Sequence, residues 1–128
     1  MGDLNWDTNR VYYVIQMRLK CDADEANQWI KDRSEKYTFD LKEEKTMSFE
    51  WFLSDDDTEA TLMESFEDSD GAKQRAENLF ASPIAAEWAE RFDPTNMIVA
   101  GNVNQDLFEL LTPIGSKFHR YAGGFNLR

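Results

Sequence analysis

Cysteine and histidine are scarce in this sequence, and their scarcity excludes several kinds of site. The one cysteine, Cys21, cannot form an intrachain disulfide, which fits a reducing compartment. The one histidine, His119, cannot build a metal site alone, because such sites need several ligands. Neither Ser65 nor Ser82 lies in a nucleophile elbow, and Gly123-Gly124 lacks the strand-to-helix setting of a phosphate loop. The sequence therefore contains no motif for metal, acyl-enzyme or nucleotide chemistry.

Long apolar runs and an excess of positive charge are missing as well. No stretch approaches the roughly 20 apolar residues that a membrane-spanning helix needs. Residues 1–10 lack the basic start and apolar run of a secretory signal, and Trp6 stands where a myristoylation motif has Ser or Thr. The 25 acidic and 14 basic residues give a net charge of -11, which repels nucleic acid and anionic membranes. We therefore expect a cytoplasmic protein without nucleic-acid or membrane partners, whose dispersed acidity serves solubility.

The size and composition of the chain are those of one globular domain. It has 128 residues, of which 41% are hydrophobic and 30% are charged. This length is enough to bury a continuous core. We predict a single domain over 1–128, with a core over about 11–103 and a C-terminal extension over 104–128.

Hydrophobic periodicity predicts the elements of that domain. Alternation with period two predicts strands over 11–20, 47–53, 59–67 and 96–103, and a fifth, edge-type strand over 117–127. Apolar residues three and four apart predict a helix that is capped by Asp22 or Asp24 and ends near Thr38. A second helical region opens at Ala72. Its predicted restart is at Ser82-Pro83, because Ser can cap a new helix and Pro fits its first turn. Its predicted stop is at Asp93-Pro94, and a short helical turn follows over 105–111.

The order of these elements predicts an α+β fold. Strand, helix, strand, strand, helix, strand is the order of a ferredoxin-like βαββαβ antiparallel sheet with both helices on one face. The other face also carries apolar side chains, among them Val14, Phe52, Met63 and Ile98. A sheet that is apolar on both faces needs a second cover, so we predict a homodimer formed through the sheet face.

One stretch of the sequence resembles a known family. The pattern Leu62-x-Glu64-x-Phe66-x-Asp68, followed by the helix that opens with Ala72, resembles the antibiotic biosynthesis monooxygenase-like group of dimeric α/β-barrel proteins. The Ser82-Pro83 step within the helical region belongs to the same pattern. The likeness spans about 11–103.

The resemblance implies a dimeric α/β barrel and a cofactor-independent oxygenase. Such a protein binds an aromatic or polyketide-like substrate that itself forms a carbanion and reacts with oxygen. Many members have a histidine where this chain has Asn78-Leu79, so the sequence departs from the pattern at the position that would support haem. We therefore expect no metal and no cofactor.

Glu64 is the most unusual ionisable residue of the predicted strands. Its neighbours on the same strand face, Leu62 and Phe66, are apolar. A carboxylate held there must be paired, open to water or raised in pKa. Two interpretations stay open: a structural pair with Arg75 or Arg18, or acid/base chemistry.

The predicted fold can gather these residues into a cavity between the sheet and the helices. The candidate substrate-binding residues are Tyr13, Phe49, Trp51 and Trp88, and the candidate catalytic residues are Glu64, Asn78 and His119. In the oxygenase interpretation Glu64 or His119 is the base, and Asn78 donates a hydrogen bond to the substrate oxygen. In the rival interpretation the aromatic residues are core, and the protein is a non-catalytic dimer that binds a ligand or partner. A pocket of a few hundred Å³ reached by Glu64 or Asn78 would favour the enzyme.

Overall fold

A five-stranded mixed sheet forms the base of the fold in the computed structural model, which describes residues 8–126. The strands are β1 (Val11–Leu19), β2 (Thr46–Leu53), β3 (Glu59–Phe66), β4 (Phe92–Ala100) and β5 (Lys117–His119). Their order across the sheet is β2-β3-β1-β4-β5. The first four strands pair antiparallel, whereas β5 pairs parallel with β4. The α+β prediction is therefore confirmed, and the short fifth strand makes the sheet mixed where an antiparallel sheet was expected.

The alternation of β1 explains its central place in the sheet. Val11, Tyr13, Ile15 and Met17 are buried, whereas the residues between them are partly or fully exposed. Since successive side chains of a strand point to opposite faces, this pattern directs one row into the core. β1 pairs with β3 on one side and with β4 on the other, so its buried row defines the inner face of the sheet.

Five α-helices are present within residues 8–126. They are α1 (Ala23–Trp29), α2 (Lys36–Asp40), α3 (Ser69–Phe80), α4 (Ile84–Arg91) and α5 (Gln105–Leu111). A π-helical turn, Ile30–Glu35, joins α1 to α2, and a 3₁₀ turn, Thr112–Ile114, follows α5. Asp22, Asp68 and Asn104 each accept a hydrogen bond from the backbone N–H three residues further on, which stabilises the starts of α1, α3 and α5. Within the described range, no helix has both the length and the apolar character needed to cross a membrane.

The break between α3 and α4 falls at the predicted Ser82-Pro83 step, but Ser82 does not cap the new helix. Pro83 is the N-cap of α4, and no side chain caps it. The Ser82 hydroxyl instead donates to the carbonyl oxygen of Leu79 at 2.8 Å. The same carbonyl also accepts a hydrogen bond from the backbone N–H of Ser82 at 3.0 Å, so Ser82 closes the end of α3 with both groups. The predicted position is thus confirmed, and the predicted capping role is wrong.

The fourth strand begins earlier than predicted. Helix α4 ends at Arg91 and β4 starts at Phe92, so Asp93-Pro94 lies inside the strand that was expected to begin at 96. Pro94 pairs with Met17, where the register of β1 and β4 shifts. Proline has no N–H to donate, and a bulge is one of the places where a sheet tolerates it.

Gly101 directly follows β4, and the sequence predicts a bulge or a close backbone approach there. Its φ is +119°, and a Cβ at this position would lie 2.5 Å from the carbonyl oxygen of Arg10. Only glycine adopts this conformation without strain. The predicted close approach is confirmed.

The C-terminal extension packs into the same core as the sheet. Leu107 and Leu111 of α5 are fully buried and belong to the main hydrophobic cluster. The strand predicted over 117–127 ends at His119, and its last predicted residue, Leu127, lies outside the described residues. The extension therefore contributes a helix and a short strand to the domain.

The outer face of the sheet carries exposed apolar side chains. Val14 lies at its centre, opposite Met63 of β3 and Ile98 of β4. Met63 is 46% exposed, and Phe52 of β2 is 49% exposed. The predicted apolar character of this face is therefore present in the structure.

Candidate functional site

A cavity of about 270 Å³ lies between the inner face of the sheet and the helices. Most of its wall is apolar, as is typical of small-molecule sites. The polar side chains in the wall are those of Ser34, Thr38, Glu64 and Arg75, and Tyr13 contributes its ring. The volume is a few hundred Å³ and Glu64 reaches it, which is the arrangement that was expected to favour the enzyme over a filled core.

Aromatic residues form one side of this cavity. Trp51 of β2 and Trp88 of α4 both line it, and their rings pack on Phe92 with centroids 5.0 Å and 6.2 Å away. The indole Nε1 of Trp51 donates to the hydroxyl of Ser34 at 3.1 Å, which fixes the plane of that ring. Phe49 lines the cavity from the same strand as Trp51. The structure thus brings the predicted aromatic walls together.

Tyr13 contributes its ring, while its hydroxyl is already bonded. The hydroxyl donates to the backbone carbonyl of Ala72 at 2.5 Å and so ties β1 to α3. Burial, followed by the nearby Glu64 carboxylate, raises the pKa of Tyr13 well above its ordinary value. Tyr13 therefore serves as a wall of the cavity and not as a proton donor to a ligand.

Sequence patterns did not identify the polar residues that the first helical region contributes to the cavity wall. Ser34 and Thr38 are buried and line the cavity. They continue the spacing of four residues that starts with Ala26 and Ile30, which are also buried. Residues four apart share one side of a helix, so this spacing was the available signal. The π-helical turn over Ile30–Glu35 lies in this part of the wall, and such turns are frequent at functional sites.

Glu64 lies in the wall of the cavity, where the part of the chain that the structure describes gives it no hydrogen bond to offset its burial. It is 5% exposed, on β3, opposite Tyr13 of β1 and Phe49 of β2. Burial raises the pKa of Glu64 to about 7; Arg75 lowers it in part, and Glu43 raises it further. Among the described residues no hydrogen bond contributes to this balance. Glu64 therefore exchanges protons near neutral pH, where a general base works best.

Arg75 forms its ion pair with a residue that the sequence did not indicate. Its Nη1 lies 3.3 Å from Oε2 of Glu43, and both side chains are almost fully buried. Glu43 also accepts hydrogen bonds from Thr46 at 2.7 Å and from Asn78 at 2.8 Å. Because Glu43 lies in a polar loop without periodicity, no sequence signal marks it. Arg75 thus forms its ion pair with Glu43. Its positive charge also lowers the pKa of Glu64.

The alternative pairing of Glu64 with Arg18 is wrong. Arg18 lies on the exposed side of β1, and its Nη2 pairs with Oδ2 of Asp93 at 3.2 Å. The register of β1 explains this, since Arg18 and Tyr13 have opposite parity in the strand. Arg18 therefore faces away from the cavity.

Two of the predicted catalytic residues lie outside the cavity wall. The Asn78 amide donates to Glu43, so it supports the buried ion pair. His119 lies on β5 and is exposed. The structure brings the other five candidates together, namely Tyr13, Phe49, Trp51, Glu64 and Trp88. Their roles in binding or catalysis stay predictions.

The mouth of the cavity is apolar. Phe80 at the end of α3 and Ile114 in the 3₁₀ turn line the cavity and are about half exposed. Leu111 of α5 lines it further inside. The C-terminal extension therefore forms part of the wall and of the entrance, which the sequence did not predict.

The chemistry of this site rests on few groups. Tyr13, Glu64 and Arg75 are the ionisable residues in its wall. Within residues 8–126 no three His, Cys, Asp or Glu side chains cluster in a way that could hold a metal ion. The arrangement can bind an apolar molecule and accept a proton from it.

Comparisons with known proteins identify a fold. No family model matches the sequence, and no curated protein sequence matches it. The crystal structure of MupZ from Pseudomonas fluorescens is similar, with a TM-score of 0.76 over 99% of this chain and 94% of that chain, at 14% sequence identity. At this identity the likeness concerns the backbone arrangement, and the chemistry must be argued from the site itself.

Proposed function

We propose that this protein is a small-molecule enzyme whose cavity binds a largely apolar, aromatic or polyketide-like molecule and whose Glu64 carboxylate removes a proton from it. One observation carries the proposal. Within residues 8–126 no hydrogen bond compensates for the burial of the Glu64 carboxyl group, which faces an apolar cavity of about 270 Å³ and has a pKa of about 7. Leaving a polar group in this state costs stability, and ionisable groups of this kind are concentrated at functional sites.

The reaction that fits best is cofactor-independent oxygenation. The protein supplies binding, orientation and a base, and the deprotonated substrate itself reacts with dioxygen. The resemblance around Glu64 to the antibiotic biosynthesis monooxygenase-like group supports this choice. So does the strand order β2-β3-β1-β4, which agrees with the ferredoxin-like arrangement of that group.

A second candidate is a protein that binds a ligand without transforming it. The internal bonds of Tyr13 and Asn78 favour it, because they engage two of the groups that the enzyme interpretation needs for binding and catalysis. The two candidates share the cavity and differ in turnover. A ligand that is bound and consumed supports the enzyme, and a ligand that is bound and recovered unchanged supports the binding protein.

Filling the cavity is expected to abolish ligand retention. Ala76 is a buried wall residue on α3, and Ala76→Phe would place a ring in the space that a ligand needs. We expect a metabolite retained by the unmodified protein to bind at least roughly tenfold more weakly, because contacts worth about 1.4 kcal/mol are lost. Native mass spectrometry after incubation with a metabolite mixture measures this.

The matched control is Ala86→Phe, which makes the same change at an exposed position of α4. It should retain the ligand like the unmodified protein. Ala76→Leu repeats the test with a smaller side chain in case the phenyl ring overpacks the core. Equal retention by both Ala76 variants and the control would reject the cavity as the binding site.

We also propose that two copies of the chain associate through the outer face of the sheet. The apolar centre formed by Val14, Met63 and Ile98 is the support, together with the half-exposed Phe52. A stable interface buries about 800 Å² on each partner, and one face of a sheet of this size can supply that area. A face-to-face dimer covers both copies by symmetry and gives the dimeric α/β barrel that the resemblance implies.

A charge in the middle of this face is expected to dissociate the dimer. Met63→Lys places an ammonium group beside Val14, where association would remove it from water. Sedimentation at micromolar concentration should show a dimer for the unmodified protein and a monomer for Met63→Lys. Gln74→Lys adds the same charge to an exposed position of α3 and should stay dimeric. A monomeric unmodified protein would refute this proposal.

A further inference from the structure

Arg75 has hydrogen-bonding capacity that the protein leaves unused. A guanidinium group carries five N–H donors. Arg75 is 4% exposed and lines the cavity, and its described bonds to Glu43 all start from Nη1, at 3.3 Å and 3.5 Å. Within residues 8–126 its Nε and Nη2 donate no hydrogen bond. Neither atom is among the buried polar atoms that lack a partner, so both are accessible from the cavity that Arg75 lines. Hydrogen bonds from a charged donor are strong, so a ligand acceptor at this position would be favoured.

Glu64 lies in the same wall of the cavity and complements Arg75, because its carboxylate accepts hydrogen bonds. Its carboxylate has acceptor capacity and no hydrogen bond from residues 8–126, and the charge of Arg75 acts on it. One atom of a ligand can satisfy both residues if it is an oxygen that carries an acidic proton. The oxygen accepts hydrogen bonds from Arg75, and the proton goes to Glu64.

The surrounding charges decide which kind of acid fits. Three of the charged or titratable groups at this end line the cavity, namely Tyr13 from β1, Glu64 from β3 and Arg75 from α3. Glu43, from the loop after α2, is paired with Arg75 and acts on Tyr13 and Glu64 through its charge. A ligand that arrives as a carboxylate adds a third negative charge unless Glu64 first takes up a proton from solvent, and like charges in a buried site repel strongly. A neutral weak acid brings no charge, and passing its proton to Glu64 leaves the number of buried charges unchanged.

We propose that Arg75 is the residue that orients the substrate, and that the substrate carries a weakly acidic hydroxyl, as in a phenol or an enol, bound as its anion against Arg75. The O–H bond of the ligand breaks, a new O–H bond forms on the Glu64 carboxylate, and the electron pair stays on the ligand oxygen. Reversal of the same transfer restores the neutral ligand. This inference rests on the proposed function, because Glu64 is the acceptor of the proton.

The probe for this inference is 4-nitrophenol, whose anion is yellow and whose neutral form is not. Near neutral pH, binding to the unmodified protein should be saturable and should increase the yellow form. The matched probe 4-nitroanisole has a methyl group in place of the hydroxyl proton. It should bind at least roughly tenfold more weakly, which corresponds to the loss of one good polar contact. Equal binding of the two probes, or no saturable binding of 4-nitrophenol, would overturn the proposal.

Two variants separate the role of Arg75 from that of Glu64. Arg75→Lys keeps the charge beside Glu43 but loses the planar set of donors, so 4-nitrophenol should bind roughly tenfold more weakly and with less of the yellow form. Arg18→Lys, at an exposed position paired with Asp93, should change neither property. Unchanged binding and colour in Arg75→Lys would overturn the inference. If that variant does not fold, the comparison of the two probes on the unmodified protein decides.

Glu64→Gln tests the underlying function separately. In the unmodified protein the complex holds one proton on Glu64, so binding of the anion should weaken as the pH rises above about 7. The glutamine variant cannot take up that proton and should lose this decrease. If Arg75→Lys loses the probe while Glu64→Gln keeps the original pH profile, Arg75 binds the oxygen but Glu64 is not the proton acceptor. The proposed function then fails while the orienting role of Arg75 stands.

Discussion

Glu64→Gln is expected to lower turnover of the substrate by roughly 10²-fold or more, because the amide keeps the shape of the side chain but cannot accept a proton. The measurement is oxygen-dependent consumption of the molecule that the cavity retains. Glu59→Gln makes the same change at an exposed position of β3 and should leave turnover unchanged. Full activity in Glu64→Gln would show that this carboxylate is not the base.

The same substitution should change how stability depends on pH. The pKa of Glu64 rises from 4.5 to about 7 on folding, so the folded protein holds this proton more tightly than the unfolded chain. The resulting stability is fully present below about pH 4.5 and is lost as the pH rises through about 7. It amounts to on the order of 3 kcal/mol. This decrease is absent in Glu64→Gln. Urea unfolding should therefore show that the free energy of unfolding of the variant, relative to that of the unmodified protein, increases between about pH 5 and about pH 8. Parallel stability curves would contradict the raised pKa.

Glu43→Ala is expected to produce the largest loss of stability. It removes the ion-pair partner of Arg75, whose side chain is 5% exposed, and leaves a buried positive charge. Breaking such a pair from one side costs about 3–5 kcal/mol. It also removes the acceptor of the Thr46 and Asn78 hydrogen bonds. Urea unfolding at neutral pH measures the change in the free energy of unfolding.

The neighbouring Glu44 provides the control for this experiment, because it is exposed in the same loop. Glu44→Ala should change the free energy of unfolding by less than about 0.5 kcal/mol. A similarly small change for Glu43→Ala would mean that the buried pair does not hold α3 to this loop. The polar end of the cavity would then be held by other contacts.

Local patterns in the sequence predicted the elements that depend on local physics. The alternation of Val11 to Met17 predicted the buried face of β1. The alternative caps Asp22 and Asp24 predicted the start of α1, and Asp22 is the cap in the structure. Glu64 was identified because a carboxylate between Leu62 and Phe66 conflicts with its strand face. These signals need only a few consecutive residues, so no knowledge of the tertiary structure was required.

The parts that sequence reasoning missed depend on contacts between distant segments. Arg75 and Glu43 are 32 residues apart, and only the packing of α3 against the loop after α2 brings them together. The bulge in β4 accommodates Pro94, although a proline in that context usually ends an element. Ile114 reaches the cavity because α5 packs into the core, which no periodicity in the sequence indicates.

Several predictions from the sequence stay predictions. The cytoplasmic location, the absence of metal, cofactor and nucleic-acid partners, and the catalytic roles given to Asn78 and His119 are among them. The structure places Asn78 behind Glu43 and His119 on β5, so Glu64 is the candidate base that the geometry favours.

The central claim is that Glu64 is a cavity-facing base that exchanges its proton near neutral pH. A ¹³C NMR titration of the side-chain carboxyl carbons tests it without any substrate, and the resonance of Glu64 is the one missing from the spectrum of Glu64→Gln. We predict a midpoint at about 7 for this resonance. A midpoint near 4.5, the unshifted value, would show that Glu64 is solvated or paired and would contradict its role as the base.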